Sequence, residues 1–326
     1  MIQITDNMIY NNINNELLNQ SAQIYNLQDQ ISSGLQINYP QDNPAGMVSV
    51  LSYKNSTSLI NQYNSNVNLA NEISSLASST LNNVIGVVNR AKTLAIEMAN
   101  GGTSASNQSG AAQEVKQIIN ELLQSSDTSY NGQNIFTGEN LSQTQAYTSS
   151  QAFYNVTSSN GTVTKVDYNL YTYAGTDVNQ RYQITQNQTI APSLTADSIF
   201  GNDIQPQSAS SYNPSGLISV LSLFQSELSS GVYQSDSQNI INGINNGLNQ
   251  ILSAQSTLGT KIQRLNEQST SYQTVLSNIT QLLGQTENVN IPQAMTSLTQ
   301  VQDSYQATLQ TAAGITQLTP MLLKYL

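Results

Sequence analysis

The sequence predicts a mainly α-helical protein that carries one small β-rich insert. Three observations lead there. Toward both ends of the chain, apolar residues recur at alternating steps of three and four, the spacing of coiled-coil helices. Residues 140–210 instead contain runs of strict apolar–polar alternation, the period of a half-buried strand. Only 9% of the 326 residues are charged, so Asn, Gln, Ser and Thr supply the polarity, while 38% apolar content leaves room for packed helices. The architecture expected is a set of long antiparallel coiled-coil helices from both chain ends, with the β domain inserted at their distal end.

The elements follow in order. Tyr10, Ile13, Leu17, Gln20, Ile24, Leu27 and Ile31 form the seam of a first helix, with Gln20 as its one polar member. "SSGLQINYPQDNPAG" then breaks it: Gly34 suits a C-cap, Pro40 and Pro44 cannot sit in a helix interior, and Asp42 or Asn43 can cap the next helix. That second helix is long. Its seam runs through Tyr63, Val67, Ala70, Ser74, Ala77, Leu81, Val84, Val88, Ala91, Ala95 and Met98 without a slip, and spans roughly 50 Å at 1.5 Å per residue. "NGGTSASNQSG" ends it as a loop. A third helix presents Val115, Ile118, Leu122 and Ser125.

Next comes "SYNGQNIFTGEN", in which Asn-Gly signals a two-residue hairpin turn. In "TVTKVDYNLYTYAG", Val166, Tyr168 and Leu170 fall on one side and Asp167, Asn169 and Tyr171 on the other. Heptads return with a short helix through Leu217, Leu221, Phe224 and Leu228. A very long seam follows: Ile241, Ile244, Leu248, Ile251, Gln255, Leu258, Ile262, Leu265, Ser269, Tyr272, Leu276, Ile279, Leu283 and Thr286. After Pro292 a last helix carries Ala294, Leu298, Val301, Tyr305, Thr308, Ala312 and Ile315. The divisions expected are 1–40 and 289–326 as coiled-coil assembly helices, 41–139 and 211–288 as two halves of a helical bundle, and 140–210 as the β-rich outer insert.

One stretch of the long seam is internally contradictory. "IINGINNGLNQIL" asks for a helix, yet Gly243 and Gly247 each weaken one by roughly 1 kcal/mol against Ala. Read from the sequence, this keeps the free chain easy to unfold, and replacing both glycines by Ala is expected to stabilise the protein.

Chemistry is sparse. There is no His and no Cys, which removes the commonest general base, the usual triads, thiolate zinc sites and disulfides. No glycine-rich phosphate loop occurs. Asp127, Ser129, Asn131 and Gly132 resemble the first half of a calcium loop, but its closing acid falls on Gly138, with Glu139 one residue late. Asn-x-Ser/Thr triplets such as the one at Asn55 arise by chance in so Asn-rich a chain. No cofactor, metal or enzymatic activity is expected. The net charge of −10, with nine scattered Lys and Arg, argues against nucleic acid and anionic membranes. No run reaches the length of a membrane span, and the N-terminal stretch lacks the pattern of a secretory signal.

The chain ends differ from the middle. Apolar seams there come with almost no charged flanks to fix a partner or keep a free helix soluble, which points to burial in a larger assembly. The residues assigned to such an interface are Tyr10, Ile13, Leu17, Ile24, Leu27, Ile31, Leu298, Val301, Tyr305, Ala312, Ile315 and Leu322.

Three stretches carry a family resemblance. "LQDQISSGLQINYPQDNPAGM" is similar to the N-terminal signature of the flagellin superfamily. "YNGQNIFTGEN" looks like an Asn-Gly…Ile-Phe-x-Gly motif of its hook-associated members, and "SLTQVQDSYQATLQTAAGITQLTPMLLKYL" resembles their C-terminal helix. The chain departs from the family at Leu35-Gln36-Ile37, where basic residues are usual, at Asp42-Asn43, where Asp is paired, and at Gln3, where Arg is usual. The resemblance implies a secreted structural protein of the bacterial flagellum, exported unfolded and polymerising between the hook side and the filament. Its partners would be flagellin, the neighbouring hook-associated junction protein, further copies of itself in a ring, and an export chaperone on the C-terminal helix around Leu298 to Leu322. A flagellin filament subunit and a secreted coiled-coil adhesin or tip protein are the alternatives.

Overall fold

The computed structural model describes residues 6–100, 104–140, 143–204 and 211–322; the side chains of residues 6, 7 and 315–322 are outside that description. In chain order the elements are α1 (Asp6–Ser33), α2 (Pro44–Ala99), α3 (Ala105–Ser126), β1 (Ser129–Tyr130), β2 (Gln133–Asn134), β3 (Tyr147–Thr157), β4 (Val163–Tyr173), β5 (Tyr182–Thr185), β6 (Gln188–Ile190), α4 (Ala196–Phe200), α5 (Leu217–Ser230), α6 (Tyr233–Glu287) and α7 (Ile291–Leu322). The predicted class, mainly α with a small β-rich part, is the class observed, and the strands pair antiparallel. Two compact units divide the chain: residues 1–61 with 273–326, and residues 62–272.

The unit of residues 62–272 holds the main core. Along α2 the expected seam is buried from Tyr63 through Ala95. Here α2 and α6 run antiparallel: Tyr63 stacks near Tyr272 at 6.4 Å, Asn71 donates to Asn266 Oδ1, and Gln255 donates to Ser78 Oγ and Asn82 Oδ1. The polar seam member Ser74 is fully buried because its hydroxyl donates to Pro192 O at 2.6 Å. In α3, Val115, Ile118 and Leu122 face the core, but the fourth buried position is Ser126 rather than Ser125.

Within α6 the buried stripe is Ile240, Ile244, Gly247, Ile251, Ala254 and Leu258. The sequence reading placed Ile241, Leu248 and Gln255 there; each is only partly buried. Ile244, Ile251, Leu258, Leu265 and Tyr272 are buried as the spacing predicts, while at the three alternate positions burial falls one residue earlier, on the side of α6 whose glycines lie against α5. A Cβ on Gly243 would sit 2.8 Å from Val220 Cγ1, and one on Gly247 would sit 2.7 Å from Leu217 Cδ1. These glycines therefore admit a neighbouring helix. This contact argues against the expectation that Ala at both positions would stabilise the protein.

α5 is buried from Leu217 through Phe224, including Ser219 and Ser222. Those two hydroxyls accept from Tyr171 N and Asn169 N, and Asn202 Oδ1 accepts from Tyr173 N, so side chains satisfy the outer edge of β4. β3 and β4 pair in full register from Tyr147↔Tyr173 to Thr157↔Val163. Val166, Tyr168 and Leu170 point into the core as alternation predicted, and the hairpin shares one continuous hydrophobic core with the helices of this unit. On the free edge of β3, Phe153 O accepts from Tyr212 N and Asn155 N donates to Ser211 Oγ.

The predicted Asn-Gly turn joins β1 to β2. Asn131 at φ 51° and Gly132 at φ 79° occupy the two central positions, both left-handed as a type I′ turn requires. Asp127, the first residue of the calcium-like stretch, accepts from Ala146 N at 2.7 Å. Phe136 of "IFTG" is fully buried, and its carbonyl accepts from Ala196 N and Tyr173 OH. Gly138, at φ 73°, passes so close to Thr176 and Val178 that no side chain fits.

One buried acid lies outside every sequence expectation. Glu227, near the end of α5, is fully buried and faces Asp236 at the start of α6, itself 7% exposed. Burial first, and the neighbouring Asp236 charge second, push Glu227 up to about 9, so at neutral pH it keeps its proton.

Candidate assembly interface

The unit of residues 1–61 and 273–326 contains the predicted interface. Leu35 bridges to Asn288 and Gln20 donates to Thr308 Oγ1 at 3.3 Å. Numbering therefore rises along α1 as it falls along α7, and the two helices pack antiparallel, as the sequence implied. Ile13, Leu17, Ile24, Leu27 and Ile31 of α1 are all half-buried, as are Leu298, Val301, Tyr305 and Ala312 of α7. Tyr10 stands 59% exposed. Ile315 and Leu322 lie in α7, and their side chains fall outside the described ones. The polar seam residue Gln20 is 8% exposed, more enclosed than the apolar α1 seam residues around it, and also donates to Glu16 Oε1 at 2.9 Å.

The helix entry is built from the segment that departs from the family signature. Gly34, at φ 75°, ends α1 and donates to Gln30 O at 2.9 Å. Gly34 O then accepts from Val289 N, and Gln36 N donates to Glu287 O at 2.6 Å. Ile37 is 2% exposed, and a Cβ on Gly46 would lie 2.6 Å from its Cδ1. Asp42 Oδ2 accepts from Asn38 N and Tyr39 N, while Asn43 caps α2 by accepting from Gly46 N at 2.9 Å. Lys54 meets Glu287 at 2.6 Å. The sequence reading did not find this pair, which joins residues 233 positions apart; neither local pattern nor spacing signals it.

The contrast with the other unit is physical. The seams of α2 and α5 are sealed, whereas α1 and α7 meet along one side and stay wet on the other. Leu18 is 62% exposed, Tyr25 70%, Met295 55% and Leu309 43%. Among the described residues no ion pair joins α1 to α7. Such a face can cover apolar area against further helices without breaking charge pairs. Among the described residues, no helix is long and apolar enough to cross a membrane, and no three His, Cys, Asp or Glu are grouped to hold a metal ion.

Residues 4–141 match the bacterial flagellin N-terminal helical region. The fold resembles a Legionella pneumophila flagellar hook-associated protein-3, with a TM-score of 0.57 at 14% identity over 72% of this chain and 98% of that one. It also resembles a Vibrio parahaemolyticus protein assigned to the flagellar hook-associated class, with a TM-score of 0.61 at 18% identity over 76% of this chain and 100% of that one.

The chain has the fold of these two hook-associated proteins.

Among curated relatives, Flagellin 1 of Proteus mirabilis is 28% identical over 112 residues, 34% of this chain. That match spans 31% of the length of the Proteus flagellin. α1, α2, α3 and the "IFTG" turn fall in the matched N-terminal region, whereas α5, α6 and α7 lie beyond it.

Proposed function

We propose that this chain is a structural subunit of the bacterial flagellum that joins the hook side to the flagellin filament. The observation that carries the reading is the α1–α7 pair, an apolar, nearly uncharged seam left half wet. Its likeness in fold to two hook-associated proteins supports the junction over the filament. In this reading the subunit is secreted and lies outside the cell, and its role is mechanical rather than catalytic. Its partners are flagellin on one side, the neighbouring hook-associated junction protein on the other, and further copies of itself in a ring. Before export, a chaperone holds the C-terminal helix from Leu298 to Leu322. Tyr10, Ile13, Leu17, Ile24, Leu27, Ile31, Leu298, Val301, Tyr305, Ala312, Ile315 and Leu322 form the contact between subunits.

The match to Flagellin 1 favours a second reading, a filament subunit. Seeded polymerisation separates the two. Purified protein is followed by light scattering and electron microscopy, alone and with short filament fragments. A junction subunit adds a short segment to fragment ends and never elongates alone. Long filaments grown from the protein itself overturn the junction in favour of the filament subunit. No incorporation in either sample overturns both.

A further inference from the structure

Three of the nine Lys and Arg residues of this acidic chain converge on one hairpin. Arg181 precedes β5, and its Nε donates to Thr189 Oγ1 at 3.0 Å. Arg264, on α6, donates to Gln188 Oε1 at 3.3 Å. One turn earlier on α6, Lys261 donates to Ser193 O at 3.1 Å. All three thus hang on the short segment from β6 to Ser193. Among the described residues, none of them lies within ion-pair distance of a carboxylate. Burial of Lys261, and the nearby positive charge of Arg181, make it easier for that ammonium to lose its proton. The rim of the cluster, Gln186, Asn187, Gln188 and Thr189, is exposed and uncharged.

Like charges held together, one of them partly desolvated, are a repulsive arrangement that an incoming anion relieves. We propose that Arg181, Lys261 and Arg264 form a cationic contact for carboxylates on the surface of a second copy of this chain. Charge complementarity selects that occupant. With 19 Asp and Glu against nine Lys and Arg, each copy carries a net −10, so copies packed side by side repel unless positive and negative patches are brought into register. The inference rests on the chain being an assembly subunit and names a place where copies meet.

The test is zero-length carbodiimide coupling, which forms an amide only between an amine and a carboxylate in contact. An equal mixture of unlabelled and 15N-labelled full-length chain is cross-linked free at high concentration and again on filament or hook-side ends. Peptides joining Lys261 of one isotope to Asp or Glu of the other are the expected result. In parallel, Arg181→Glu with Arg264→Glu, two exposed positions, is checked for wild-type helicity by circular dichroism. This variant is expected to weaken contact between copies about tenfold or more at low salt, an effect fading at high salt. No mixed-isotope coupling at Lys261 in either setting, with the variant behaving as wild type, overturns the inference. Coupling of Lys261 to a filament or hook-side subunit overturns its assignment to a second copy. If wild type joins no ends yet couples to itself through Lys261, the junction reading falls and this contact stands.

Discussion

Gly243 and Gly247 show how one residue can be misread from sequence. Helix propensity favours Ala at both positions by roughly 1 kcal/mol, but the contacts with Val220 and Leu217 forbid a methyl group without displacement. Overpacking of this kind costs ~1–3 kcal/mol per site. Gly243→Ala and Gly247→Ala are each expected to lower the urea midpoint, and Val220→Ala is expected to recover part of the loss in the Gly243→Ala background. An unchanged or raised midpoint in both single variants contradicts the packing account. Glu227 gives a second outcome at this scale. Its folded form holds a proton up to about pH 9, whereas an exposed Glu releases it near 4.5. Between those values folding takes up a proton, so stability is full below about pH 4.5 and falls as pH rises toward 9, by about 1.4 kcal/mol per unit at most. The urea midpoint of wild type is expected to drop from pH 5 to pH 8, and that of Glu227→Gln to change little. Nothing in the sequence marked Glu227, because its burial and its neighbour depend on how α5 and α6 meet.

At the scale of elements, the heptad spacing of α2 was fully legible, because a long helix with one apolar stripe has one way to face a core. The strand alternation of β4 was equally clear. What could not be read was how a two-stranded sheet survives without further strands. Ser219 and Ser222 look like ordinary polar interruptions of an apolar helix, yet they accept the outward N–H groups of Tyr171 and Asn169. Ser219→Ala and Ser222→Ala each leave a half-buried donor unpaired, at about 1–3 kcal/mol. Chemical denaturation is expected to show that loss for each, with faster amide exchange at Tyr171 and Asn169 respectively. Neutral substitutions, with exchange unchanged, contradict the role. The seam of α6 was legible at Ile244, Ile251, Leu258, Leu265 and Tyr272, but at its alternate positions burial falls one residue earlier, since the small face that admits α5 carries no hydrophobic signal.

For the whole molecule, the division into two units gives a separable outcome. Residues 62–272 contain the continuous core. Expressed alone, that fragment is expected to unfold cooperatively in urea while losing all incorporation at filament ends. In the full chain, Ile24→Asp with Leu298→Asp is expected to abolish incorporation and leave the main unfolding transition in place. Loss of both properties together in the double variant contradicts an interface role for α1 and α7. The candidate interface was legible because its seam is apolar and its flanks lack charge. Lys54–Glu287 and the Arg181, Lys261 and Arg264 cluster were not, because each joins residues far apart in sequence.

The half-wet seam of α1 and α7 has a calorimetric consequence. Covering it releases ordered water from apolar surface, so assembly is expected to carry a negative heat-capacity change. Its driving force near room temperature is then largely entropic and fades on cooling. Assembled material held near freezing is expected to shed subunits that warming returns, a cold lability that contacts made mainly of ion pairs would not show.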